Sequence, residues 1–242
     1  MNWHTRYIQQ AAWTRGLRDY IFDKIKLEDF ANILEVGCGT GAVLSELPGS
    51  IDLHGLDIDA AALTECQIHV PGVSLVQGDA VKLPYAEGKF DVVYSHFLLL
   101  WVRNPLAALQ EMKGVTRTGG YVIAFAEPNY LERIDRPSEL IPLGKWQTES
   151  LIRQGADPGL GTRLADLFFR AGIRIIETGF IQSREQEPSP QEWEIEWDVI
   201  ESDLTGWIPD REIKKMKHLD REARQDGSRL LHVPTYFAWG QV

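Results

Sequence analysis

The chain has 242 residues, 44% hydrophobic and 25% charged, an ordinary globular composition at a length that suits one α/β domain with a substantial core. No apolar run approaches the roughly 20 residues of a membrane helix, which argues against a membrane role. The net charge of −10 and a pI near 5.1 weigh against DNA or RNA as a partner, because duplex binding draws on a basic footprint, so a small molecule is the favoured substrate class.

The first residues, Met1-Asn2-Trp3-His4-Thr5-Arg6, lack the apolar core of a signal peptide. The two cysteines, Cys38 and Cys66, fit neither a disulfide framework nor a metal-ligand spacing, so a reducing cytoplasm is the expected location and no metal is expected. Residues 3–26 read as a helix, with Trp3, Tyr7, Gln10, Thr14, Leu17 and Ile21 recurring at spacings of three and four. Gln10 interrupts that mostly apolar stripe and is therefore a candidate functional residue.

From Ala31 the chain alternates. Strands are expected at 32–36, 52–57, 73–77, 90–95 and 120–126, with helices at 41–47, 59–67 and 104–117. This order predicts a doubly wound parallel sheet with right-handed crossovers. The punctuation agrees: Asp59 can cap the helix that begins at Ala60, and Asn104-Pro105 offers a cap and a first-turn proline. Thr118-Gly119-Gly120 turns the chain into the following strand. Residues 128–157 hold Pro128, Pro137, Pro142, Gly144 and Gly155 and read as a long loop with short helical turns. A helix at 160–171 and a strand at 173–183 follow.

Residues 185–203 are acidic and 211–224 basic, as expected of two amphipathic helices that are either solvated faces or a substrate lid. Trp193, Trp197, Ile200 and Leu204 make the apolar stripe of the first. Leu230–Trp239 returns as a last strand, antiparallel beside 173–183. The whole chain is thus read as one domain, with an N-terminal helical cover over 1–26 and cap or lid insertions at 128–157 and 185–228.

The most informative stretch is Ile33-Leu34-Glu35-Val36-Gly37-Cys38-Gly39-Thr40-Gly41. An apolar strand runs into a glycine-rich turn, and a helix is expected to open just after it. Gly37, Gly39 and Gly41 stand at the carboxyl end of the first strand, where open α/β sheets bind ligands. Asp57 and Gly78-Asp79-Ala80 follow at the ends of the next two strands. With Ala42 the turn also satisfies G-x-G-x-x-A, and Asp57 lies about twenty residues on. This segment alone therefore fits a nicotinamide-dependent dehydrogenase as well as other adenosine-binding enzymes.

Glu35 in the form E-x-G-x-G-x-G, together with Asp57, Asp79 and the strand Phe90-Asp91-Val92-Val93-Tyr94-Ser95, resembles the class I S-adenosylmethionine-dependent methyltransferases of small-molecule type. Residues 113–125 look like that family's fifth-strand region, and Phe237-Ala238-Trp239-Gly240 like the end of its seventh strand. The resemblance implies a Rossmann-like seven-stranded, mostly parallel sheet with an antiparallel last strand, and S-adenosyl-L-methionine as cofactor. It implies that Glu35 organises the methionine end, beside the turn of Gly37, Cys38, Gly39 and Gly41. Asp57 would accept from both ribose hydroxyls and Ile58 would pack on the adenine. Asp79 would receive the adenine amino group and Ala80 offer its amide. Ser95 and its neighbours would contact the amino-acid part. The N-terminal helix covers the cofactor in many such enzymes, with Tyr7, Gln10 and Trp13 the candidates here.

Methyl transfer from a sulfonium is an in-line displacement that needs no covalent protein intermediate. An oxygen acceptor would benefit from a general base, for which His96 is the first choice and Glu127 and Tyr130 the alternatives. The Asn/Asp-Pro-Pro-aromatic motif of amino-directed DNA enzymes is missing after the fourth strand, where Ser95-His96-Phe97-Leu98 stands, and neither cysteine follows a proline. A protein or RNA methyltransferase, or a binding module of the same fold without turnover, stays open beside the small-molecule enzyme.

Overall fold

A computed structural model describes residues 2–181 and 188–242. Its centre is a seven-stranded sheet in the order β3-β2-β1-β4-β5-β9-β7. The strands are β1 (Asn32–Val36), β2 (Asp52–Asp57), β3 (Ser74–Gln77), β4 (Phe90–Ser95), β5 (Thr116–Pro128), β7 (Arg174–Ile181) and β9 (Thr235–Gln241). The pairs among β1 to β5 are parallel, while β9 runs antiparallel between β5 and β7. The α/β architecture and its antiparallel strand are those expected from the sequence.

Side chains alternate across the sheet with period two. Leu34 and Val36 of β1, Val93 of β4, and Val122 and Ala124 of β5 enter one core. Ile33, Val92, Tyr94, Ile123 and Phe125 enter the other. Burial on both faces explains why these strands read as near-continuous apolar runs. Helices α3 (Ala60–His69), α4 (Pro105–Val115) and α6 (Leu164–Arg170) connect successive strands. Asp59 caps α3 through Ala61 N at 2.8 Å, and Asn104 caps α4 through Ala107 N at 3.1 Å.

Several local expectations are corrected. The stretch 3–26 forms two helices, α1 (Trp3–Trp13) and α2 (Arg15–Ile25), separated at Thr14. The buried Arg18 holds the break, donating to Ala11 O at 2.6 Å and Thr14 Oγ1 at 2.5 Å. No α-helix follows the glycine turn: 37–51 crosses to β2 through turns and one 3₁₀ turn, Leu44–Glu46. Gly41 at φ +81 and Pro48 four residues past Leu44 leave too few helical residues to nucleate one.

The presumed loop 128–157 contains a short strand β6 (Ile134–Arg136) and a thirteen-residue helix α5 (Ile141–Arg153). Pro142 sits in the first turn of α5, where proline is tolerated, rather than breaking it. The last strand is split: β8 (Leu230–His232) pairs with β6, and β9 begins only after Val233-Pro234. The expected strand 173–183 and acidic helix 185–203 each extend onto residues outside those described, at 182–183 and 185–187 respectively. Helices α7 (Pro190–Leu204) and α8 (Asp210–Gln225) share with α5 a third core built on Leu140, Leu143, Trp193, Trp197, Ile213 and Met216. The tryptophan stripe of α7 thus faces protein, not solvent.

Candidate active site

The glycine turn folds over the end of β2. Gly37 N and Cys38 N both donate to Leu56 O, at 2.7 and 3.1 Å. Gly37 takes φ +76, and a Cβ there would stand 2.6 Å from Leu98 Cδ1. Gly39 takes φ +50, and a Cβ there would meet the Tyr7 ring at 3.1 Å. Only glycine fits a backbone that carries positive φ and is covered this closely. Gly39 N then donates to Asp57 Oδ2 at 2.7 Å, and Asp59 N to Oδ1 at 2.9 Å. Each carboxylate oxygen keeps further acceptor capacity for a ligand hydroxyl. Ile58 beside it is 69% exposed, an apolar surface turned outward.

Glu35 lies on the floor of the cleft, buried, and accepts from Tyr94 Oη at 3.1 Å. Burial holds its carboxyl well above the usual carboxylate range, against the Tyr94 hydrogen bond and the Arg18 charge. Cys38 is buried beneath the turn, its thiol donating to Gly39 O at 3.9 Å.

The fourth strand brings Ser95, His96 and Phe97 to the same edge. Ser95 Oγ is buried without a hydrogen-bond partner among the described residues. His96 lines the cleft, half-buried, with Nε2 at 2.8 Å from Thr14 Oγ1. Thr14 Oγ1 also lies 3.2 Å from Ala11 O and accepts from Arg18 Nη1 at 2.5 Å. Burial, reinforced by the Arg18 guanidinium, pushes the imidazole down to about 3. Phe97 adopts φ +52, a conformation an aromatic residue rarely takes, with its amide donating to Ala126 O at 3.0 Å.

Two joined cavities open on these residues. The first, of about 410 Å³, is bordered by Glu35, the Gly37–Gly39 turn, Asp57, Ile58 and His96, with Tyr7 and Gln10 of α1 above. The second, of about 130 Å³, lies beyond it under α7, α8 and β8. Arg6, Phe97, Pro128, Tyr130 and Gln147 border both.

Of the residues singled out from sequence, Glu35, Gly37, Cys38, Gly39, Asp57, Ile58, His96, Gln10 and Tyr130 meet around this opening. Gly41 stands behind it, packed toward Cys66 and Val70. Asp79 is exposed, its Oδ1 accepting from Val81 N at 3.1 Å, and Ala80 is buried; neither lines a cavity. Their turn still abuts the Asp57 end through Gly78 N to Asp57 O at 2.9 Å.

Glu127 is fully buried and borders neither cavity. Its Oε1 accepts from Leu99 N at 2.8 Å and its Oε2 from Leu100 N at 3.0 Å. Burial pushes it up to about 8 against those bonds. The expectation of a general base at Glu127 is therefore corrected: the carboxyl anchors the 3₁₀ turn behind Leu98. The sequence reading missed Arg6 and named Gln147, Val199 and Asp203 only through the segments expected as cap or lid. Arg6 carried a signal, lying four residues before Gln10 and so on the same face of α1.

Residues 34–124 match the family model described as "Methyltransferase domain". The demethylmenaquinone methyltransferase of Renibacterium salmoninarum is 31% identical over 129 residues, covering 52% of this chain and 54% of that protein. The chain thus spans about half the length of this curated relative. Among solved structures, geranyl diphosphate methyltransferase in complex with SAM superposes with a TM-score of 0.53 at 11% identity, covering 88% of this chain and 78% of that one. The [4+2]-cyclase SpnF does so with 0.52 at 18% identity, covering 88% and 76%. Both likenesses are of fold.

Proposed function

We propose that this chain, which belongs to the class I S-adenosylmethionine-dependent methyltransferases, transfers the cofactor's methyl group to a small-molecule acceptor by in-line displacement. The observation that carries the reading is the pair of joined cavities at the carboxyl edge of the sheet, one ending on Asp57 and the glycine turn, the other meeting it at Phe97 and Tyr130. The residues present fit the cofactor. Asp57 has acceptor capacity for two ribose hydroxyls, Ile58 offers an apolar face to the adenine, and Glu35 and the turn border the space for the methionine part. The Asp79 turn, against the Asp57 end, is where the adenine amino group would be received. Cavities of this size and enclosure suit a small ligand better than a protein or RNA surface.

When bound, the cofactor supplies an electrophilic methyl on a sulfonium whose charge disappears during transfer. The protein's task is to hold donor and acceptor in line and to keep water out. Phe97, held in its unusual backbone conformation, and Tyr130 stand where the two cavities meet and orient the acceptor. His96 stays neutral and fixes the α1–α2 break over the cleft through Thr14. Helices α5, α7 and α8 form the cap that excludes solvent. Tyr130 is the better-placed group for a proton from the acceptor, since it borders both cavities.

Calorimetric titration with S-adenosylmethionine and S-adenosylhomocysteine tests this reading directly. Asp57→Ala is expected to weaken both by about 10–100-fold, the loss of one or two charge-assisted hydrogen bonds. A folded wild-type protein that binds neither would overturn the reading. Binding with no turnover against any metabolite or macromolecule would leave a binding module of the same fold.

A further inference from the structure

Helix α1 covers the cleft, and its first turn carries a contact that the cleft does not use. His4 meets the glycine turn through Nδ1, which lies 2.8 Å from Thr40 Oγ1. Three residues on and on the same face of α1, Tyr7 lies over Gly39. Helix α3 packs on the turn as well, and a Cβ on Gly41 would stand 2.7 Å from Cys66 Sγ. Residues 39–41 are thus held by α1 and α3 together, and the two helices meet beside them.

At that meeting point three side chains of metal-ligand type converge. His4 of α1 and Glu65 and His69 of α3 bring one donor atom each to within 4.8 Å of one another. Glu65 and His69 form an i, i+4 pair on one face of α3, with His69 Nε2 3.7 Å from Glu65 Oε1. The His4 and His69 rings are stacked, their centroids 3.4 Å apart and their planes 2° from parallel. Two imidazoles and one carboxylate suit a borderline ion such as zinc, whereas magnesium and calcium ask for oxygen ligands.

The bland account of the stack is a pair of packed neutral rings. The bond to Thr40 favours a ligand site instead. With its proton on Nδ1, His4 donates to the Thr40 hydroxyl and leaves Nε2 free as the ligand, which is the outer-shell bond that metal-bound imidazoles make. Thr40 is buried, so that anchor is fixed, while Glu65 and His69 are open enough to adjust. Donors around one zinc ion stand about 3.3 Å apart, so closure from 4.8 Å asks for about 1.5 Å of movement. Turning the exposed His69 ring out of the stack supplies it.

We propose that His4, Glu65 and His69 bind a divalent ion of the zinc type, which ties α1 to α3 across the glycine turn and holds the cover closed over the cofactor cleft. None of the three lines either cavity, so the ion clamps the cover without touching the reacting groups. Cysteine spacing has no bearing on this site, which uses neither Cys38 nor Cys66. His4 is remote in sequence from the Glu65–His69 pair, and only the packing of α1 beside α3 brings it there.

The test uses full-length protein stripped with a chelator, then titrated by calorimetry with zinc chloride alone. A single zinc ion is expected to bind, and His4→Ala and His69→Ala each to weaken it by about ten-fold or more. Cobalt chloride should give visible absorption bands that fade in the same variants. S-adenosylhomocysteine should bind about three-fold or more tighter with zinc than without, zinc tighter by the same factor with S-adenosylhomocysteine, and neither gain should survive His69→Ala. No zinc binding, or binding that persists in both variants and so belongs to other ligands, would overturn the site. Zinc binding that is lost in the variants but leaves S-adenosylhomocysteine affinity unchanged would overturn the clamp. Should His4→Ala not fold, His69→Ala and Glu65→Ala, on open positions of α3, decide in its place. If S-adenosylhomocysteine does not bind at all, the functional reading fails, and the zinc titration still decides the site.

Discussion

At the scale of single residues, burial moves two titratable groups of the cleft in opposite directions, the Glu35 carboxyl up and the His96 imidazole down. His96 resembled a general base in sequence because histidine ordinarily changes charge near pH 6.5. Held at about 3 by burial and Arg18, and hydrogen-bonded through Nε2 to Thr14, it is a neutral spacer. We therefore expect the pH profile of kcat to show no limb near pH 6–7 that disappears in His96→Asn, and that variant to keep at least a tenth of wild-type kcat. A limb lost on that substitution would restore the base. Asp57 and the glycine turn were legible because backbone geometry demands particular residue types there. His96 was not, since its chemistry depends on Arg18 and Thr14, which are far from it in sequence.

Among the elements, the 3₁₀ turn Leu99–Trp101 shows how a buried carboxyl can serve architecture. Glu127 at the end of β5 accepts from the first two amides of that turn and so fixes Leu98, which packs on Gly37. Its carboxyl is raised from about 4.5 in the open chain to about 8 in the fold. Between those values the native state retains a proton that the unfolded chain has lost, so stability falls as pH rises through the window, by up to about 1.4 kcal/mol per unit. Glu127→Gln should flatten that slope, at a fixed cost because its amide N–H₂ cannot accept from a backbone N–H. Urea unfolding at pH 5, 6.5 and 8 reads this, and an unchanged slope would refute it. Helix α5 teaches the complementary lesson. Its Pro142 and Gly144 looked like loop punctuation, yet the proline occupies a first turn and the glycine answers a contact with Arg133 and Asp135 that no local pattern encodes.

Over the whole molecule, the sheet followed from alternating apolar runs and their glycine and proline punctuation, because parallel strands buried on both faces leave that mark in any sequence. The packing of α5, α7 and α8 did not, since these helices are buried against one another in a core separate from those of the sheet. The absence of an α-helix after the glycine turn bears on which cofactors the cleft can accept. Dinucleotides are held through a pyrophosphate set on the positive end of such a helix. Here 41–51 supplies no aligned column of amides, and the carboxylates against the turn are those of Asp57 and Asp59. A diphosphate would meet acids in place of a dipole, whereas a cofactor with a sulfonium and an ammonium meets none of that opposition. NADH at millimolar concentration should accordingly fail to displace S-adenosylhomocysteine in a competition titration, and displacement would contradict this account. The same G-x-G-x-x-A letters that suit a hydride carrier thus become, once the helix is withheld, a filter that selects by the sign of the guest's charge.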